Sequence, residues 1–122
     1  AKLGLSSVDN IVFMGMGEPL DNADALITAV EALTDAERFS FSKAKVLVST
    51  VGPSPEALER LKTVDCLLAW SVHAADDATR TALVPSTRHT MVQLRDSMME
   101  VLAARQRGGA LHSLMVEYVL LK

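Results

Sequence analysis

Apolar residues gather into four short strand-forming runs, at residues 10–14, 46–49, 66–71 and 114–121. These runs are continuous and not alternating, which predicts parallel strands covered on both faces. The intervals between them carry the helical period instead. Leu26, Ile27, Val30 and Leu33 form the stripe of a first helix beginning near Asn22, with Asp24 and Glu31 on its polar side. Ser54 and Pro55 open a second, as an N-cap followed by a residue whose fixed φ suits a first turn, and Leu58 and Leu61 give it a short stripe. The third has the strongest signals. Thr90 and Gln93 stand at capping-box spacing, Met91, Leu94, Met98, Val101 and Leu102 share one face, and Gly108 and Gly109 supply a stop. Strand and helix thus alternate as β-α-β-α-β-α-β, the order of parallel strands joined by helical crossovers. A doubly wound sheet and a segment of a (β/α) barrel both fit. A whole eight-stranded barrel, at about 250 residues, does not.

Composition narrows the setting. With 122 residues, 49% hydrophobic and 22% charged, the chain has the size and balance of one folded domain. No apolar run approaches the roughly 18 to 20 residues that span a bilayer, and the first ten residues lack the apolar centre of a secretion signal. The expected setting is therefore the cytoplasm, or an organelle in a eukaryotic source, with no membrane partner. A net charge of −3 argues against a general polyanion-binding surface. The lone cysteine, Cys66, excludes an internal disulfide and cannot alone hold zinc or an iron-sulfur cluster. Its place in the apolar run CLLAW marks it as a small buried hydrophobe, and Trp70 as a core residue. The chain opens on Ala1 and closes on EYVLLK, which reads as a piece of a longer protein.

Candidate chemistry lies at the strand ends. GMGEP follows the first run, STVG the second and SVHA the third. In a parallel α/β architecture the carboxyl ends of all strands share one rim, where ligands bind. Gly17, Glu18, Ser49, Thr50, Ser71 and His73 should therefore converge. Taken singly, each has a structural reading: Glu18 before Pro19 suits the start of a helical segment, and Ser49 and Thr50 suit loop capping. Taken together they suit a small polar ligand. Glycines let it approach the backbone, Glu18 can accept from a cationic amine, and the serine hydroxyls can donate to a carboxylate or a ribose. No glycine-rich phosphate loop with its lysine is present, which disfavours a nucleoside triphosphate. His89 and His112 have no partner pattern.

With NIVFMGMGEPL, STVGPSPEALERL, LLAWSVHAADDATRTALVP and EYVLLK in this order, the chain resembles the radical S-adenosylmethionine (radical-SAM) enzymes that methylate carbon 2 of adenine in ribosomal RNA. The resemblance runs through nearly all of residues 1–122, and GMGEP together with SVHA carries most of it. It implies an α/β fold: a parallel-stranded fragment, about four βα units, of a partial (β/α)6 barrel. It also implies that Gly17, Glu18, Ser49, Ser71, Val72 and His73 contact S-adenosylmethionine, with Gly17 and Glu18 at its methionine part. The family's CxxxCxxC loop, which binds a [4Fe-4S] cluster, its methylated catalytic cysteine and a later asparagine contact are missing from this sequence. The fragment alone is therefore expected to hold neither metal nor catalytic residue and to be inactive. The implied partners of the complete enzyme are ribosomal RNA, transfer RNA as a further substrate, and an electron-donor protein. Two other readings stay open: a non-catalytic α/β binding domain of the same fold, and the sister family that methylates carbon 8. Trp70 stands where the family more usually has an aliphatic residue.

Overall fold

The computed structural model describes residues 8–120. Its elements follow the sequence pattern closely: strand β1 (Ile11–Phe13), helix α1 (Ala23–Thr34), strand β2 (Val46–Thr50), helix α2 (Pro55–Glu59), strand β3 (Leu67–Ser71), helices α3 (Asp77–Leu83) and α4 (Met91–Arg107), and strand β4 (Leu114–Glu117). The strands pair in parallel in the order β1-β2-β3-β4.

Local chemistry explains the helix starts. The Ser54 hydroxyl accepts from the Ala57 amide at 3.1 Å and Pro55 opens α2, which passes after five residues into the 3-10 turn Arg60–Thr63. Thr90 and Gln93 form the expected capping box of α4. Helix α3 was not foreseen, although its signal is present: the Asp76 carboxylate accepts from the Thr79 amide at 2.8 Å as an N-cap. A seven-residue helix without a long apolar stripe escapes a periodicity reading. The fourth run was expected to continue to residue 121. The strand instead ends at Glu117, Tyr118, Val119 and Leu120 are exposed, and Leu121 lies outside the described residues.

The sequential strand order decides between the two architectures. Right-handed crossovers between successive neighbours put every helix on the same side of the sheet, as in a barrel wall, whereas a doubly wound sheet reverses direction. The core agrees. Val46, Val48, Leu68 and Trp70 pack with Leu26 and Val30 of α1, Leu58 and Leu61, and Leu94, Met98 and Val101 of α4. On the other face Val12 and Met115 are each 46% exposed, and Leu47 and Leu67 are half-buried. The expectation that both faces are covered is thus corrected: within the described residues the helices cover one. The second face reads as apolar because it is the inner wall of a barrel segment, lined near its middle by Val12, Leu47, Leu67 and Ala69.

Two buried arginines join helices to strand ends. Arg105, 1% exposed, donates through Nε to the Leu111 carbonyl at 2.6 Å, through Nη1 to the carbonyls of Leu61 (2.8 Å) and Val64, and through Nη2 to that of Cys66. Burial pushes its pKa below the ordinary guanidinium value. One planar fork thus ties together four carbonyls of the turn after α2, the start of β3 and the loop before β4, two of which, those of Leu61 and Val64, accept from backbone amides as well. Arg105→Met keeps the apolar stem but removes every donor. It is expected to cost about 3 kcal/mol, the scale of losing hydrogen bonds from a charged donor to buried carbonyls, measured by urea denaturation with Trp70 fluorescence.

Candidate functional site

At the carboxyl rim the strand ends enclose a cavity of about 590 Å³. Gly17, Glu18, Ser49, Thr50, Ser71 and His73 all line it, so every residue expected to converge from topology does so. Val72 stands apart among the six residues implied by resemblance. Its side chain packs in the core and does not line the cavity, while its carbonyl accepts from Arg80.

The loop after β1 brings Glu18 over the end of β2. Gly17 has φ +88, in the region where a side chain is strained, and Pro19 opens a 3-10 turn ending at Asn22. The Glu18 carboxylate is anchored. Oε1 accepts from the Leu20 amide at 3.0 Å and the Thr50 hydroxyl at 2.6 Å, and Oε2 accepts from the Val51 amide at 2.9 Å. An ionised carboxylate offers about four acceptor positions, so these bonds fix its orientation and leave capacity toward the cavity.

Deeper in the rim lies a group that the sequence reading missed. Glu117, the last residue of β4, pairs in register with Ser71. Its Oε2 accepts from the Ser71 hydroxyl at 2.6 Å and the Ser49 hydroxyl at 2.8 Å; the two serine oxygens are 3.3 Å apart. The hydroxyl protons expected to serve a ligand are therefore committed to Glu117, and the serines present lone pairs instead. Within EYVLLK, Glu117 looked like one polar residue in a strand. Only the parallel register of β3 and β4 shows that it falls beside Ser71. The two serine hydrogen bonds, Ser71 first, hold its carboxyl below the ordinary range, against a smaller opposing effect of burial.

The loop after β3 is held from behind. The amides of Val72 and His73 donate to the Glu117 carbonyl at 3.0 and 3.3 Å, and His73 adopts φ +63. Such a conformation costs a non-glycine residue about 1 kcal/mol or more. It leaves Nδ1 of His73 buried and without a partner among the described residues. Beneath, Arg80 of α3 is 2% exposed; Nε donates to the Val72 carbonyl at 3.1 Å and Nη2 to that of Val51, which also accepts from the Trp70 indole at 3.2 Å. Trp70 thereby contributes a hydrogen bond as well as core bulk. A Cβ on Gly52 (φ +70) would lie 3.0 Å from that indole nitrogen.

Cys66 is fully buried, and loss of solvation pushes its thiol up to about 11, so the thiol stays protonated at neutral pH. No group of three or more His, Cys, Asp or Glu among the described residues could hold a metal ion. Nor is any helix among them long and apolar enough to cross a membrane.

Comparison with known proteins gives the rim a context. No family model matches the chain. It is 36% identical over 120 residues to the dual-specificity RNA methyltransferase RlmN of Buchnera aphidicola subsp. Schizaphis graminum, covering 96% of this chain and 32% of that protein. It is 39% identical over 117 residues to a probable RNA methyltransferase of Rhodopirellula baltica, covering 94% and 30%. A crystal structure of a radical SAM methyltransferase from Sphaerobacter thermophilus superposes with a TM-score of 0.80 at 32% identity, over 93% of this chain and 33% of the other. The chain thus spans about a third of the length of the proteins it matches.

Glu117 has a measurable signature. Its depressed folded pKa means it stabilises the fold above the ordinary carboxylate value of 4.5, and that contribution is lost as pH falls through the lower folded value. Glu117→Gln removes the titration. The variant is expected to lose less stability than the parent between pH 6 and about 3, measured by urea denaturation across that range.

Proposed function

Because the chain is a segment of the RlmN-type radical-SAM RNA methyltransferase family, we propose that it forms the S-adenosylmethionine-binding wall of an enzyme that methylates carbon 2 of adenine in ribosomal RNA. Transfer RNA is a second substrate in this reading, which the relatives' dual specificity supports. The reaction is assigned to the cytoplasm, with an electron donor as partner.

The observation that carries the proposal is the cavity itself. Three separate strand ends supply Glu18, Ser49, Ser71 and His73 to one space of about 590 Å³, and the lining holds two carboxylates and no lysine or arginine. That lining fits a ligand of this size class bearing positive charge. The apolar side chains of Phe13, Met14 and Leu26 on the same lining suit its uncharged surface. S-adenosylmethionine, when bound, supplies the methyl group and the adenosyl fragment that abstracts hydrogen. The chain's own residues orient it: Glu18 accepts from the ammonium, Gly17 allows close approach, and the serine oxygens and His73 face the remaining polar edge. Val72 acts through its backbone, which Arg80 fixes. The [4Fe-4S] cluster of the family finds no ligand set among the described residues.

In the full-length protein, Glu18→Gln is expected to weaken S-adenosylmethionine binding by about 1.5 to 3 kcal/mol, the scale of a charge-assisted hydrogen bond. Calorimetric titration measures it, and unchanged affinity refutes the ammonium contact. The reaction is tested by mass spectrometry of RNA from a strain lacking the gene. Loss of 2-methyladenosine is expected. Loss of 8-methyladenosine instead would move the product to carbon 8, and an unaltered RNA would favour a non-catalytic binding domain.

A further inference from the structure

The cavity holds two carboxylates with different surroundings. Both oxygens of Glu18 accept from the protein, and its spare capacity is assigned above to the ligand's ammonium. Glu117 is arranged otherwise. Only Oε2 is engaged, by the Ser49 and Ser71 hydroxyls, and Oε1 accepts no hydrogen bond among the described residues. Both serines are buried to 9% exposure and their protons point at Glu117, so this corner offers the ligand acceptors only. With no lysine or arginine on the lining, the negative charge of Glu117 has no cationic side chain beside it in the cavity. The two serine hydrogen bonds also keep it ionised at neutral pH. A half-buried anion held in one orientation is stabilised by a ligand that brings a positive charge of its own.

We propose that Glu117, held by Ser49 and Ser71, is the counter-charge for the ligand's positively charged sulfur and makes the site select a sulfonium over the corresponding neutral thioether. The inference rests on reading the cavity as an S-adenosylmethionine site. It gives each of the ligand's two cationic centres its own carboxylate, Glu18 for the ammonium and Glu117 for the sulfonium. S-adenosylhomocysteine has the same adenosine, ammonium and carboxylate but an uncharged sulfur, so it loses only the interaction with Glu117. The same residue thereby loosens the demethylated product once the methyl group has left, because the charge that held the sulfur leaves with it.

Calorimetric titration of the full-length protein with S-adenosylmethionine and with S-adenosylhomocysteine tests this, with thermal melting to verify folding of each variant. The parent protein is expected to prefer the sulfonium by about tenfold or more, as a carboxylate facing a cation in a partly buried site allows. Glu117→Gln keeps the shape and an acceptor for the serines, and should bring the two affinities close to parity by weakening the sulfonium alone. Glu117→Asp keeps the charge and should retain a preference. Equal weakening of both ligands by Glu117→Gln would overturn the proposal in favour of a shared hydroxyl contact or a purely structural role. Parity in the parent protein would overturn it whether or not either variant folds. Binding of neither ligand by the parent protein would instead remove the cavity reading itself, and this inference with it.

Discussion

Ser49 and Thr50 are consecutive at the end of β2, and each hydroxyl donates to a different carboxylate: Ser49 to Glu117 and Thr50 to Glu18. Successive side chains on a strand project to opposite faces. One hydroxyl therefore reaches the last residue of β4 while the next reaches the loop after β1. Two acids far apart in sequence are fixed by adjacent residues on a strand between them. The rest of the rim is built around this pair, with the Leu20 and Val51 amides completing the anchor of Glu18 and the Ser71 hydroxyl that of Glu117.

The support beneath is equally economical. The peptide after Thr50 donates through the Val51 amide to Glu18, while the Val51 carbonyl accepts from Trp70 and Arg80. Arg80 also holds the Val72 carbonyl, so α3 ties the loops after β2 and β3 together from outside the cavity. His73 keeps its left-handed backbone because the Glu117 carbonyl takes both its amide and that of Val72. Backbone hydrogen bonds, not side-chain bulk, thus set where the polar side chains point. This geometry explains how a cavity with two anions can persist: each acid accepts from neutral donors that do not cancel its charge.

Much of this was legible in the sequence because it rests on local signals. The caps Ser54 and Thr90, the helix stripes and the four strands are written in short-range periodicity, and the parallel rim follows from their alternation. The likeness to the RNA methyltransferases was legible through GMGEP and SVHA. What escaped depends on register and on tertiary burial. Glu117 gains meaning only from its pairing with Ser71. Arg80 and Arg105 are charged residues whose burial no pattern announced, because their partners are backbone carbonyls and every residue carries one. Helix α3 is too short to show a period, and the covered and open faces of the sheet were indistinguishable because both are apolar.

The position of Glu117 at the end of β4 has one more consequence. Its carbonyl accepts from the Val72 and His73 amides while its carboxylate accepts from the Ser49 and Ser71 hydroxyls. One residue thus ties the register of β3 and β4 to the charge in the cavity: a slip of β4 by a single position turns the carboxylate to the opposite face of the sheet and, in the same movement, frees the loop that holds His73.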